Sequence, residues 1–253
     1  ELLEQRRFTS TTNVNPDKIY FTINDGTTEP AVIGTAGNFV AITGLPKARK
    51  STVVGAMIAS FMIDRPVWNF HLHIHSDKNQ IAVFDTEQSP YDFNRQVNNI
   101  EKLTGYTKSE VFTFLDAFLL REDDSVDIVK IISQYLKENE KTGIIIIDGL
   151  LDLIDNMNDE SASKRLIKQI KFWATKHDCL IITVLHLGKK DQTTIGHIGS
   201  ASDRYAQSTL LVEKTKEGDT VISGKYLRSS KDFENIQIKW DNNVKRYIHL
   251  INF

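Results

Sequence analysis

Between Gly143 and Asp148 the chain carries four consecutive isoleucines, and no other stretch limits the fold as tightly. A strand with one wet face alternates apolar and polar residues. A run with no alternation needs cover on both faces, as in a parallel sheet held between layers of helix. Cys179–Leu185 is a second such run, and Leu166, Ile170, Trp173, Ala174 and His177 recur at helical spacing between the two. Further strands are expected at Asn38–Thr43, Gln80–Phe84 and Val111–Leu115. Helices are expected from Val53 toward Pro66, over Asp92–Leu103 and around Val129–Leu136. From Ser208 onward strands take over, at Ser208–Glu213, Val221–Leu227, Ile236–Trp240 and Tyr247–Ile251. The 253 residues suffice for one α/β unit with a sizeable core.

Ahead of this unit, residues 1–18 are polar and rich in Thr and Asn. Ile19–Ile23 and Ala31–Ile33 read as a strand pair, with Asn24-Asp25-Gly26 as the turn signal. Phe70–Ile74 and Gln80–Phe84 flank Ser76–Asn79 and read as a hairpin. The expected organisation is an N-terminal arm with a short β-element over 1–37 and a main domain over 38–253.

The net charge of −2 leaves any nucleic-acid contact to local basic patches. With Cys179 as the one cysteine, a disulfide framework or a Cys-based zinc site within the chain is excluded, which suits a reducing, cytoplasmic setting. No apolar stretch is long enough to span a bilayer and no leader is evident, so no membrane partner is expected. Glu1 opens the sequence without a methionine, so a processed chain or a fragment is expected.

The chemistry concentrates where the Asn38–Thr43 strand meets a helix. Gly44, Leu45, Pro46, Lys47, Ala48, Arg49, Lys50, Ser51 and Thr52 follow the phosphate-loop pattern G-x-x-x-x-G-K-[ST], except that Arg49 replaces the second glycine. In such a loop backbone N–H groups wrap phosphate, the lysine neutralises its oxygens and the hydroxyl reaches a metal. The plain alternative is a surface Lys-Ser pair at a helix start. Asp148 ends the isoleucine strand, where a carboxylate can hold a metal beside that loop, although buried strands often end on a polar residue. Glu87 follows the Gln80–Phe84 strand, where it could activate water or merely be a solvated turn acid. Arg49 has two readings. A Cβ there could loosen the backbone's grip on phosphate, or a helical backbone could tolerate it and gain positive charge.

The order of these motifs over residues 34–240 resembles the RecA-fold ATPases, and among them the DnaB/RepA-like helicase-type ATPases of plasmids, phages and mobile elements. The resemblance implies a RecA-like P-loop NTPase core, α/β with a mostly parallel central sheet flanked by helices, and here a β-rich C-terminal extension. It implies ATP and Mg²⁺ as cofactors, with Ser51 and Asp148 at the metal and Gly44–Thr52 around the nucleotide. Lys50 and Glu87 would be catalytic, His186 would sense the γ-phosphate, and Arg228 would reach a neighbouring subunit's nucleotide. Single-stranded DNA, a homo-oligomer such as a hexameric ring, and replication or recombination proteins are the implied partners. Lys189 and Lys190, in a Gly/Thr-rich segment, are the DNA-contact candidates. Gly149–Asp159 carries Asp152, Asp155 and Asp159, whose charges repel phosphate. A non-translocating ATP-dependent switch, or a scaffold without turnover, remains the rival function. His71, His73 and His75 share one strand face and, with no Cys or acidic pattern nearby, read as a half-exposed sheet edge and not as zinc ligands.

Overall fold

The structure, a computed structural model, describes residues 7–9, 12, 15–121, 127–188, 195–228 and 230–250. The chain opens with β1 (Ile19–Ile23), β2 (Ala31–Thr35) and β3 (Phe39–Gly44), and continues through α1 (Lys50–Ile63), β4 (Phe70–Leu72) and β5 (Gln80–Asp85). Next come α2 (Pro90–Thr104), the single turn α3 (Lys108–Val111), β6 (Leu115–Leu119), α4 (Ile128–Glu138) and β7 (Thr142–Asp148). A 3-10 turn (Leu150–Leu153) leads to α5 (Glu160–Lys176), β8 (Leu180–His186) and α6 (Gly196–Tyr205). The chain then closes with β9 (Ser208–Lys214), β10 (Thr220–Leu227), β11 (Ile236–Asp241) and β12 (Arg246–Leu250).

The isoleucine run forms β7, an interior strand third from one edge of a central sheet ordered β12-β11-β10-β9-β3-β8-β7-β5-β6. From β9 to β6 every neighbouring pair is parallel. The last three strands extend the sheet as antiparallel neighbours, which is the expected β-rich extension. Because side chains alternate faces along a strand, the run divides its isoleucines between two cores. Ile144 and Ile146, with Val40, Ile42, Ile182 and Val184, pack under α1 and α2. Ile145 and Ile147, with Phe39, Ala41 and Ile181, pack under α4 and α5, where Trp173 is fully buried. Burying one such side chain is worth roughly 1.5–3 kcal/mol, so both faces of β7 contribute to stability.

α1 is apolar on nearly all sides, and Val53, Val54, Met57, Ile58 and Phe61 are buried. A helix of that kind needs cover on its outer side as well. The second sheet, ordered β2-β1-β4, joins the same core through Tyr20, Phe21, Ile23 and Ile33. β4 is pinned to the helix where the Leu72 N–H donates to Ser60 Oγ at 2.9 Å. This overturns the hairpin expected from Phe70–Ile74 and Gln80–Phe84. β4 pairs with β1, whereas β5 enters the central sheet between β7 and β6. The expected strand at Val111–Leu115 is likewise displaced. Thr107 and Glu110 form a reciprocal capping box that turns Lys108–Val111 into helix, and the strand starts at Leu115. α1 stops at Ile63, short of Pro66, because Asp64 adopts a left-handed C-cap with φ 45°.

Two glycines predict opposite effects on stability. A Cβ on Gly44 would lie 2.3 Å from the Val212 carbonyl oxygen, whereas one on Gly55, inside α1, would meet nothing closer than Gln96 Cγ at 3.5 Å. In urea denaturation Gly44→Ala is expected to lose about 1–3 kcal/mol through the forced backbone shift. Gly55→Ala is expected to gain about 0.5–1 kcal/mol from reduced chain entropy.

Candidate functional site

The parallel register brings the polar strand ends to one edge of the sheet. Gly44 at the end of β3 is the Cα partner of His186 at the end of β8, and Asp85 on β5 is the partner of Asp148 on β7. In an open α/β sheet that edge is where ligands bind.

The loop from Gly44 to Lys50 turns back into α1 with both Lys47 and Arg49 at positive φ, 65° and 72°. Leu45 is half-buried, Pro46 and Lys47 are exposed, and Ala48 is buried, its N–H bonded to the Leu45 carbonyl at 3.1 Å. Arg49 is the N-cap of α1 and makes no side-chain capping bond, so the first-turn N–H groups face the loop without a side-chain acceptor. Its own side chain points away from the loop's centre. Nη1 donates to the Gly218 carbonyl at 2.5 Å and to Thr220 Oγ1 at 2.8 Å, and the guanidinium lies 4.9 Å from the centre of the Tyr247 ring. Arg49 thus ties the loop to the β9–β10 turn and to β12. Glycine is the usual residue in this conformation because it carries no Cβ, and the anchor offsets that strain.

Lys50 is buried, and its ammonium donates to the carbonyls of Gly44 at 3.0 Å and Leu45 at 3.2 Å and to His186 Nδ1 at 2.8 Å. Because Nδ1 accepts, Nε2 carries the proton, and it reaches both carboxylate oxygens of Glu87 at 3.0 Å. His186 therefore bridges Lys50 and Glu87. The His186 bond holds the Glu87 carboxyl below its ordinary range, and burial lowers the Lys50 ammonium.

Ser51 Oγ donates to Asp148 Oδ2 at 3.4 Å. Burial, followed by the charges of Asp85 and Glu87, pushes Asp148 up to about 7. Burial raises Asp85 too, although it accepts the N–H groups of Glu87 at 2.9 Å and Gln88 at 2.8 Å. Asp85 thereby fixes the turn that carries Glu87, a positioning role the sequence reading did not assign. A hydroxyl beside a cluster of buried carboxylates short of positive charge fits a hard divalent cation with oxygen ligands.

Beside Ser51 and Thr52 a cavity of about 380 Å³ opens between α1, α2 and β12, walled by Trp68, Gln88, Arg95, Arg246 and Tyr247. These wall residues were missed in the sequence. They come from three separate stretches of the chain and form no motif, and only the docking of β12 near α2 assembles them. Asp152, one of the carboxylates in Gly149–Asp159, accepts from Thr86 Oγ1 at 2.5 Å. Arg228 is not brought to this edge. β10 runs antiparallel to β9, so Leu227 pairs with Ser208 at the far end of the sheet, and exposed Arg228 donates to the Arg204 carbonyl at 2.9 Å. Lys189 and Lys190 lie outside the described residues. Among the described residues no helix is long and apolar enough to cross a membrane.

Fold and strand-edge site together define a RecA-fold P-loop ATPase domain. The sequence model of the AAA domain family matches residues 32–192, and the chain belongs to that family. The fold is similar to that of the RadB recombinase crystal structure, with a TM-score of 0.56 and 14% identity over 81% of this chain and 88% of that one. No curated protein matches the chain.

The geometry at Arg49 ranks two variants. Arg49→Ala keeps the left-handed backbone cost and loses the anchor, whereas Arg49→Gly loses the anchor but relieves about 1 kcal/mol of strain. Denaturation midpoints are expected in the order parent, Arg49→Gly, Arg49→Ala. A parent less stable than Arg49→Gly would show that the guanidinium contacts contribute less than the strain.

Proposed function

We propose that this chain is a Mg²⁺-dependent ATPase of the DnaB/RepA-like type, coupling hydrolysis to binding of, or movement on, single-stranded DNA in a mobile element. The observation that carries the reading is the convergence of Lys50, Ser51, Asp148 and the His186-held Glu87 on one sheet edge beside a cavity of about 380 Å³. In this reading the α1 N-terminus and Lys50 take the β- and γ-phosphates, Thr52 lies beside them, and the cavity takes the nucleoside. Ser51 and Asp148 hold Mg²⁺, which supplies charge neutralisation at the phosphate oxygens when bound.

Glu87 orients and deprotonates the attacking water. The three donors of Lys50 are already committed, so an arriving phosphate must take one of them. The bond to the His186 side chain is the exchangeable one, since the other acceptors are backbone carbonyls of the loop itself. Release of Nδ1 also loosens the hold of His186 on Glu87, which gives His186 its sensing role.

The domain occupies residues 38–253, with 1–37 as an N-terminal arm, and the chain works as a cytoplasmic homo-oligomer, a hexameric ring by analogy with helicases. Arg228, at the far end of β10, suits a contact with a neighbouring subunit and not with its own nucleotide. Lys189 and Lys190 are the proposed DNA contacts, and replication or recombination proteins the proposed partners. The near-balanced net charge of −2 favours a second reading, an ATP-dependent switch that does not translocate.

Steady-state ATPase measurements with and without single-stranded DNA test both readings. Glu87→Gln is expected to lower kcat by about 10²–10⁴-fold while nucleotide still binds. Turnover that is unchanged in Glu87→Gln would overturn the proposed site. Turnover that ignores DNA would select the switch.

A further inference from the structure

The histidine run acquires in three dimensions the acidic neighbour it lacks in sequence. His71, on β4 at the edge of the small sheet, and His73, just past the end of that strand, have ring centroids 3.9 Å apart. The Leu72–Ser60 bond that pins β4 to α1 brings Asp64, the C-cap of α1, beside them. Asp64 Oδ1 lies 3.2 Å from His71 Nε2. One ligand atom from each of Asp64, His71 and His73 falls within 4.8 Å of the others.

Two ligands on one tetrahedral zinc, each about 2.0–2.1 Å from the metal, lie roughly 3.3 Å apart, so the Asp64–His71 pair already has that spacing. His73 also has a partner outside the cluster, with Nε2 2.8 Å from Thr22 Oγ1 on β1. A second partner on the other ring nitrogen is how metal-binding histidines are oriented and kept in one tautomer. His75 turns away, its Nε2 bonded to the Ile19 carbonyl at 2.9 Å and its ring edge-on to Tyr20.

We propose that Asp64, His71 and His73 form a binding site for a divalent transition metal of the zinc type, with Thr22 as its positioning residue. Two imidazoles and a carboxylate suit zinc or cobalt better than magnesium or calcium. α1 spans 14 residues, which puts the site about 20 Å from Ser51 and separates it from the nucleotide edge. Its effect is to staple the C-terminus of the phosphate-loop helix to the small sheet.

The test titrates the full chain, stripped with chelator and dialysed, first with Co²⁺ and then with Zn²⁺. One equivalent of Co²⁺ is expected to give the intense visible absorption of four-coordinate cobalt, to be displaced by Zn²⁺, and Zn²⁺ is expected to raise Tm. His71→Ala and Asp64→Asn are expected to weaken Zn²⁺ binding by at least about 100-fold, and Thr22→Val by about 10–100-fold. Asp148→Asn, at the nucleotide edge, is expected to leave Zn²⁺ affinity unchanged. Asn tolerates the left-handed conformation, so Asp64→Asn keeps the helix cap, and its Tm in chelator should match the parent's. No bound equivalent, binding that survives both His71→Ala and Asp64→Asn, or binding lost in Asp148→Asn would each overturn the proposal.

Discussion

The parallel register of β3, β8, β7 and β5 is the constraint on which the site depends. Parallel strands that start in step also end in step, so their last residues share one edge. Gly44 beside His186 and Asp85 beside Asp148 follow from hydrogen-bond pairing along the strands and need no separate organising contact. A slip of one residue in any of these strands would send its apolar side chains to the opposite core and its terminal polar group away from the others. The two-sided burial of β7 therefore protects the geometry of the site as well as the stability of the fold.

Arg49 shows how a departure from a motif is accommodated by structure distant in sequence. Glycine at that position needs no support. Arginine in the same left-handed conformation needs a partner, and the β9–β10 turn supplies one through the Gly218 carbonyl and Thr220. The antiparallel extension is thus more than an appendage to the parallel sheet, because it braces the loop that opens α1. The sequence around the loop offers two outcomes for Arg49, loosened backbone or added charge. The side chain's direction, away from the loop centre and over Tyr247, gives a third outcome, a mechanical tie.

Much of this was legible in the sequence wherever local pattern and tertiary environment agree. The run at Ile144–Ile147, the helical spacing after Lys50 and the strand–loop–helix order all describe segments whose burial is uniform along their length. Legibility failed where a distant element decided the outcome. Phe70–Ile74 looked like half of a hairpin with Gln80–Phe84, yet β1 captured it because α1 needed cover on its outer side. The capping box at Thr107 and Glu110 could have been read from its spacing, and it moves the following strand to Leu115. The cavity walls at Trp68, Arg246 and Tyr247 could not, since nothing in their sequence neighbourhoods links them.

The candidate site also sets electrostatic cost against structural support. Asp85, Glu87 and Asp148 converge on one edge with Lys50 among them, and burial raises both Asp85 and Asp148. Such a cluster opposes folding unless its members are individually satisfied. Asp85 is satisfied by the backbone of its own turn, Glu87 by His186, and Asp148 in part by Ser51. Each partner comes from a strand end or a helix start that the cores on the two faces hold in place. The arrangement leaves Asp148 the least compensated of the three, and it is the one nearest the hydroxyl at the start of α1. A cation bridging that hydroxyl and that carboxylate would offset the burial of Asp148 and its repulsion from Asp85 and Glu87, so the folded core holds in readiness the groups that such an ion needs.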